Sequence, residues 1–236
     1  MSGSTFRRYS HKVHEERFRE LFQTRGGPVP LDEALAIICW SANSEVDPPS
    51  VLDRLDELAR QVTATTAEGL MAELFGPSGF VGNSVEYDDP ANSLLNQVMS
   101  RKLGIPITLS AIAIEVGRRV GIPIIGIGMP GHFLCRSGEG SGITYFDPFH
   151  SPHPLSAQEC RTLYESLTQL DNWSAEFLEP SDARIMVIRT LSNLKSIYRR
   201  RSDMANLRWV MRLRTHIPEI AAIESNEFAK LIRRSN

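Results

Sequence analysis

The sequence predicts an α+β fold, and three patterns predict it. Apolar residues recur at helical spacing through the first third of the chain, the segment ITLSAIAIEVGRR is apolar on nearly every side, and three short β-prone runs follow it before helical spacing returns after Pro154. A helix apolar on all sides belongs in the middle of a domain. The expected plan is therefore a buried central helix, three consecutive antiparallel strands after it, and helices before and after.

Taken in order, about nine polar residues expected to lack order precede a first helix, in which His14, Phe18, Leu21 and Phe22 share a face that ends at Gly26-Gly27-Pro28. His11 and His14 read as solvent residues. Leu31, Leu35, Ile38 and Cys39 mark a second helix, Val51, Leu55, Leu58 and Val62 a third, and Glu68 to Phe75 a short fourth stopped by Gly76-Pro77. Gly79 and Gly82 signal a loop running to Tyr87-Asp88-Asp89-Pro90, whose side chains could cap the next helix. That helix carries Leu94, Leu95, Val98 and Met99 on one face and is expected to end at Gly104, after which Pro106 opens the central helix. IIGIGM, HFLCR and ITYFD, separated by Pro130-Gly131 and by SGEGSG, predict three consecutive antiparallel strands. Helices are then expected near Ser156 to Leu170, Asp182 to Arg201, Met204 to His216 and Glu219 to Arg233, the last ones resembling a helix-turn-helix pair. The regions divide at 1–78, 79–179 and 180–236.

Composition excludes several classes. A chain of 236 residues with 42% hydrophobic and 23% charged content can bury a sizeable core and is neither disordered nor fibrous. Its net charge of -2 gives no global attraction to nucleic acid or anionic lipid. The longest apolar stretch, Ile105 to Val116, is interrupted by Thr108, Ser110 and Glu115 and is too short to span a bilayer, and the N-terminus lacks the apolar core of a secretory signal. A cytoplasmic location is the expectation. Three cysteines, Cys39, Cys135 and Cys160, without CxxC spacing predict reduced thiols rather than a disulfide framework or a zinc site.

The hairpin at HFLCR and ITYFD places chemistry. If Arg136 and Ile143 flank a six-residue turn, paired residue numbers sum to 279 and His132 faces Asp147. Side chains so paired lie ~5 Å apart at Cβ, close enough for a carboxylate to hold an imidazole in one tautomer, the geometry of a base and its orienter. The competing structural reading is that both are polar strand-end residues. Register in a glycine-rich hairpin is weakly specified, and a slip of one residue would separate the two.

The run ANSLLNQVMSRKLGIPITLSAIAIEVGRRVGIPIIGIGMPGHFLCR, followed by YFDPF, resembles the bacterial SirB-type branch of the transglutaminase-like superfamily, closely from Phe80 to Phe149. The tail NLKSIYRRRSDMANLRWVMRLRTHIP resembles a tetratricopeptide-type hairpin. The resemblance implies a papain-like core with cysteine at the start of the buried helix and His and Asp on neighbouring strands, which match His132 and Asp147. The nucleophile slot, within Pro106 to Thr108, holds no cysteine. Thr108 or Ser110 would substitute poorly, because an alkoxide is harder to generate than a thiolate. Strand alternation turns Cys135 away from His132, and Cys39 and Cys160 belong to helices elsewhere.

Asn92 and Asn96, one helical turn apart, could line the cleft beside His132 or tie down irregular backbone. Asp147, His150 and His153 give D-x-x-H-x-x-H, but the run spans two prolines and lacks a fourth ligand, so neither metal nor other cofactor is expected. Between Arg184 and Arg214, nine basic residues face only Asp203, and the structural reading, a solvated face or one opposed to acidic helices, outweighs nucleic-acid binding. The expected function is a non-catalytic, protein- or peptide-binding regulatory module that meets no membrane. The alternatives are acyl transfer or amide hydrolysis through His132 and Asp147 with an atypical hydroxyl or water nucleophile, and nucleic-acid binding through the tail.

Overall fold

The computed structural model describes residues 13–233; His11 and the polar N-terminal stretch lie outside them. Helix α1 (13–21) leads to α2 (Leu31–Ala42), α3 (Pro48–Gln61) and α4 (Ala67–Phe75). Pro48 occupies the first turn of α3, where its missing N–H costs nothing, and the Thr66 side chain caps α4 by accepting from the Gly69 N–H. His14 is half-buried, its ring 4.7 Å from that of Trp40, so it is not the solvent residue expected.

The helix expected from Pro90 to Gly104 is broken. A 3-10 turn, Pro90–Ser93, is capped by the Asp89 side chain, Leu94 is extended, and α5 covers only Leu95–Arg101. The break follows from Asn92, whose amide donates back to the carbonyls of Glu86 and Tyr87 and holds this turn against the preceding loop. Lys102 ends α5 in the left-handed region, and β2 (Leu103–Gly104) then pairs in parallel with β1 (Val81–Gly82). The central helix α6 (Pro106–Val120) begins with proline and stops at Gly121, whose φ of 75° suits a residue without Cβ.

The three expected strands are β3 (Ile125–Ile127), β4 (Leu134–Ser137) and β5 (Thr144–Asp147), and two more join them. The sheet order is β6-β5-β4-β3-β7, antiparallel throughout, with β6 (Ser151–Leu155) and β7 (Pro180–Ser181) at the edges. Both added strands contain proline, which is tolerated at an edge and hides a strand from a propensity reading. The β4–β5 register also differs from expectation. Ser137 pairs with Thr144, Arg136 with Tyr145 and Cys135 with Phe146, so paired numbers sum to 281 and His132 lies before β4 begins. A displacement of two residues preserves which face each side chain occupies, so His132 and Asp147 become diagonal neighbours instead of directly opposed ones.

Phe133, Cys135 and Phe146 pack with α6 in a cluster that also takes Phe18 and Leu35 from the first helices and Leu194 and Val210 from the last ones. Ile127, Leu134 and Tyr145 join Cys160 and Tyr164 of α7 (Ala157–Thr168) in a second, smaller cluster. A Leu, Ile, Val or Phe side chain fully buried in these clusters contributes about 1.5–3 kcal/mol relative to exposure. Helices α8 (Ala183–Arg200), α9 (Met204–Thr215) and α10 (Ala221–Arg233) close the chain, and α8 packs on α2, α6 and α9.

The basic stripe is largely neutralised within the fold. Lys195 and Arg214 bind Glu224, Arg199 binds Glu227, Arg200 binds Asp88 and Arg212 binds Glu15. Arg184, 3% exposed, holds Glu219 through two nitrogens at 2.9 Å each, with its remaining nitrogen on the Gly27 carbonyl and its guanidinium over Phe22. These bonds from Arg184 draw the Glu219 carboxyl down from 4.5 to about 2. A depressed carboxyl pKa adds stability above its unfolded value and loses it as pH falls through the folded one. Wild type is therefore expected to lose about 1 kcal/mol more than Glu219→Gln between pH 5 and pH 2, measured by urea denaturation across that range.

Candidate functional site

The sequence Met129-Pro130-Gly131-His132 forms a turn in which the His132 N–H bonds the Met129 carbonyl and Gly131 takes φ 77°. Proline before glycine is the residue pair such a turn selects. It delivers the His132 ring to the mouth of β4, where Nε2 lies 3.0 Å from Oδ2 of Asp147. Both residues are buried, at 4% and 2% exposure.

Asp147 ends β5 and folds its carboxylate over the next turn. Its Oδ1 accepts the backbone N–H groups of Phe149 and His150, and its Oδ2 accepts from His132 and, at 2.6 Å, from Nδ1 of His150. Burial alone would raise this carboxyl, but the bonds to the two imidazoles hold it well below the usual carboxylate range. Asp147 is thus fixed as an anion. The same bond raises the His150 pKa. The His132 and His150 rings stack at 5.2 Å, and Phe149 meets His132 edge-on at 6.1 Å and Tyr87 at 5.9 Å. From α8, Arg189 donates to the carbonyl of His132 at 2.7 Å and lies over the Phe133 ring.

The other expected site residues make no hydrogen bond to this cluster. Thr108, buried in the first turn of α6, is committed to the helix start: its Oγ1 is 2.7 Å from the Asn92 carbonyl and accepts from the Ile105 N–H. Asn92 is wholly buried and bonds Asn83 and Arg101 besides the loop carbonyls, which is the tie-down role. Asn96 turns to the opposite side, with its backbone N–H on the Cys39 sulfur and its side chain in a depression shared with Glu45 and Arg54. The 3-10 break at Leu94 rotates Asn96 out of the face it would share with Asn92 in a continuous helix. Ser110 lies in α6 against Cys135, its hydroxyl buried without a partner. Among the described residues, none of these four hydrogen-bonds to His132 or Asp147.

Cys39, Cys135 and Cys160 are free and buried, and burial pushes each thiol up to about 12. His153 is exposed and outside the cluster that His132, Asp147 and His150 form, where one ligand atom from each falls within 4.8 Å of the others. Sequence reasoning paired His150 with His153 instead of His132, although the D-x-x-H spacing already suited a turn closed on Asp147. Arg189 carried no local signal, being one of many basic residues on a helix.

Thr108→Val would leave the Asn92 carbonyl and the Ile105 N–H buried without a partner, and is expected to destabilise the protein by about 1–3 kcal/mol in urea denaturation. An unchanged midpoint would mean that the hydroxyl is not committed to the helix start.

A family model described as transglutaminase-like superfamily matches residues 49–192. A UPF0162 protein of Xylella fastidiosa is 45% identical over 129 residues, covering 53% of this chain and 46% of that protein. A UPF0162 protein of Pseudomonas aeruginosa is 28% identical over 181 residues, covering 72% of this chain and 66% of its own. F-box only protein 21 of Mus musculus is 33% identical over 98 residues, which are 38% of this chain and 16% of that one. The chain spans about half the length of the Xylella relative it matches. No solved structure gives a significant match. Among the described residues, no helix is long and apolar enough to cross a membrane.

Proposed function

The chain belongs to the transglutaminase-like superfamily, and from that membership we propose that it is a non-catalytic, protein- or peptide-binding regulatory module built on a site without its cysteine nucleophile. The observation that carries this reading is the start of α6. Pro106, Ile107 and Thr108 offer no thiol, and the one hydroxyl among them is committed to backbone partners. The three thiols of the chain are buried, and burial pushes each up to about 12, so their nucleophilic forms are scarce. His132 is itself 4% exposed, which gives a substrate carbonyl little approach. The region similar to F-box only protein 21 is 16% of that protein, the usage expected of a module inside a longer chain.

Within the superfamily we place the chain in the SirB-type branch and read α8 and α9 as a tetratricopeptide-like pair. The long run from Phe80 to Phe149 and the packing of α8 on α9 support this. One observation favours the second reading, hydrolysis through a water activated by His132. Asp147 is held ionised and occupies Nε2, so Nδ1 is the nitrogen left for a proton. Nucleic-acid binding through the tail is disfavoured by the internal ion pairs of its basic residues.

Purified protein is expected to show no turnover of glutaminyl, amide or ester substrates that depends on His132. A rate abolished by His132→Ala, with the fold intact by circular dichroism, would overturn the binding reading in favour of hydrolysis. A companion experiment places a single cysteine at Pro106, Ile107 or Thr108 with Cys39, Cys135 and Cys160 replaced. One of the three should alkylate fast below the ordinary thiol pKa of ~8.5 and slow on His132→Ala, because imidazolium and helix N-terminal amides stabilise a thiolate. Ordinary titration at all three would mean that the cleft is not a degenerate catalytic site and that the His132–Asp147 pair is structural.

A further inference from the structure

We propose that His132, Asp147 and His150 form a binding site for one divalent first-row transition-metal ion of the zinc type. The inference stands apart from the module reading, because it concerns what the three side chains hold and not whether they turn over a substrate.

The first argument is that the cluster contains one imidazole too many for an orienting role. A single carboxylate–imidazole bond suffices to fix the tautomer of a base. Here two histidines, from the turn before β4 and the turn after β5, aim ring nitrogens at the same oxygen, Oδ2, at 3.0 and 2.6 Å. The second argument is the other carboxylate oxygen. Oδ1 is engaged by the Phe149 and His150 N–H groups, which lock the carboxylate plane and present Oδ2 as a one-oxygen ligand. Outer contacts that orient a ligating group in this way are part of a built metal site.

One of the three distances already suits an ion of this size, and the other two need side-chain movement. Ligands at ~2.0–2.2 Å from a zinc ion lie roughly 3.0–3.5 Å from one another. The three donor atoms already fall within 4.8 Å of one another. The His132 to Asp147 separation needs no change, whereas the two imidazole nitrogens, within 4.8 Å of each other, must close by about an ångström, a movement open to the His150 side chain, 46% exposed on its turn. Binding moves the protons of neutral imidazoles to Nδ1 of His132 and Nε2 of His150, which leaves a lone pair on each inner nitrogen. Two imidazoles and a carboxylate select zinc, cobalt, nickel or ferrous iron over magnesium and calcium, whose ligands are oxygens. Three protein ligands leave at least one position for water or a partner's donor atom. Arg189, the cation nearest in the chain of contacts, is directed at the carbonyl oxygens of Met129 and His132 and not at the carboxylate.

The test uses the full chain without an affinity tag, stripped with chelator and titrated calorimetrically with Zn²⁺, then with Co²⁺ followed by visible absorption. One ion per chain is expected, with affinity reduced at least tenfold by His150→Ala and by His132→Ala and unchanged by His153→Ala. His150 is half exposed and its backbone N–H stays on Asp147 in the variant, so its substitution disturbs the fold less than that of the buried His132. The Co²⁺ ligand-field bands should vanish with His150→Ala, and Zn²⁺ should raise the melting temperature of wild type but not of that variant. Failure to bind Zn²⁺ at 1:1 by roughly 100 μM, an affinity of only about 5–6 kcal/mol, would overturn the proposal. Binding that His150→Ala leaves unchanged would overturn it equally, by moving the ion to other histidines.

Discussion

An ionised carboxylate inside a protein must be satisfied almost completely, since an unpaired buried charge costs several kcal/mol. Asp147 imposes that requirement on this fold. Its four donors come from the turn before β4 and the turn after β5, so both turns take the conformations that aim N–H groups inward. The consequences spread outward. Phe149, placed by its own N–H on Asp147, lies so close to Gly82 that a Cβ there would come within 2.3 Å of the Phe149 carbonyl. Glycine at position 82 is thereby required by close approach, and the loop at 81–89 is brought against the site through Tyr87.

A second buried polar group organises the other side. Asn92 bonds two loop carbonyls, Asn83 and Arg101, while its own carbonyl receives Thr108. Sequence distant residues from the loop, α5 and the start of α6 thus meet at one amide. This network gives the start of α6 a rigid seat, and it engages the one hydroxyl that an unusual nucleophile would need free. Fold and chemistry compete for the same oxygen here, and the 2.7 Å contact to the Asn92 carbonyl assigns it to the fold.

Much of this was legible in the sequence because it depends on local signals. The periodicity of ITLSAIAIEVGRR marks α6 as central, and alternation within HFLCR and ITYFD marks β4 and β5. The His132–Asp147 contact could be anticipated even from a register two residues out, since strand parity is all that face assignment needs. What was not legible depends on long-range pairing or on polar side chains acting on backbone. Prolines concealed β6 and β7, the Asn92 amide broke a helix that periodicity continued, and that break carried Asn96 away from the site. His150 was visible as a spacing but not as a partner of His132, because the turn that unites them exists only once Asp147 is buried.

The C-terminal helices are part of the site's architecture as well as its cover. Arg189 of α8 holds the carbonyls of Met129 and His132, the two ends of the turn that presents the imidazole, and its burial among them draws its pKa down. Farther along, Arg200 and Arg201 reach Asp88 in the loop that carries Tyr87. The same helix therefore touches both walls around His132, one through a half-buried cation and one through exposed pairs. Exposed pairs contribute little stability and are screened by salt, whereas the Arg189 contacts replace solvent for two buried carbonyls. A displacement of α8 would release the loop at small cost but would expose or orphan the His132 carbonyl at larger cost. The imidazole is consequently held more firmly than the aromatic wall beside it, and Tyr87, not His132, is the part of the site free to adjust to what binds there.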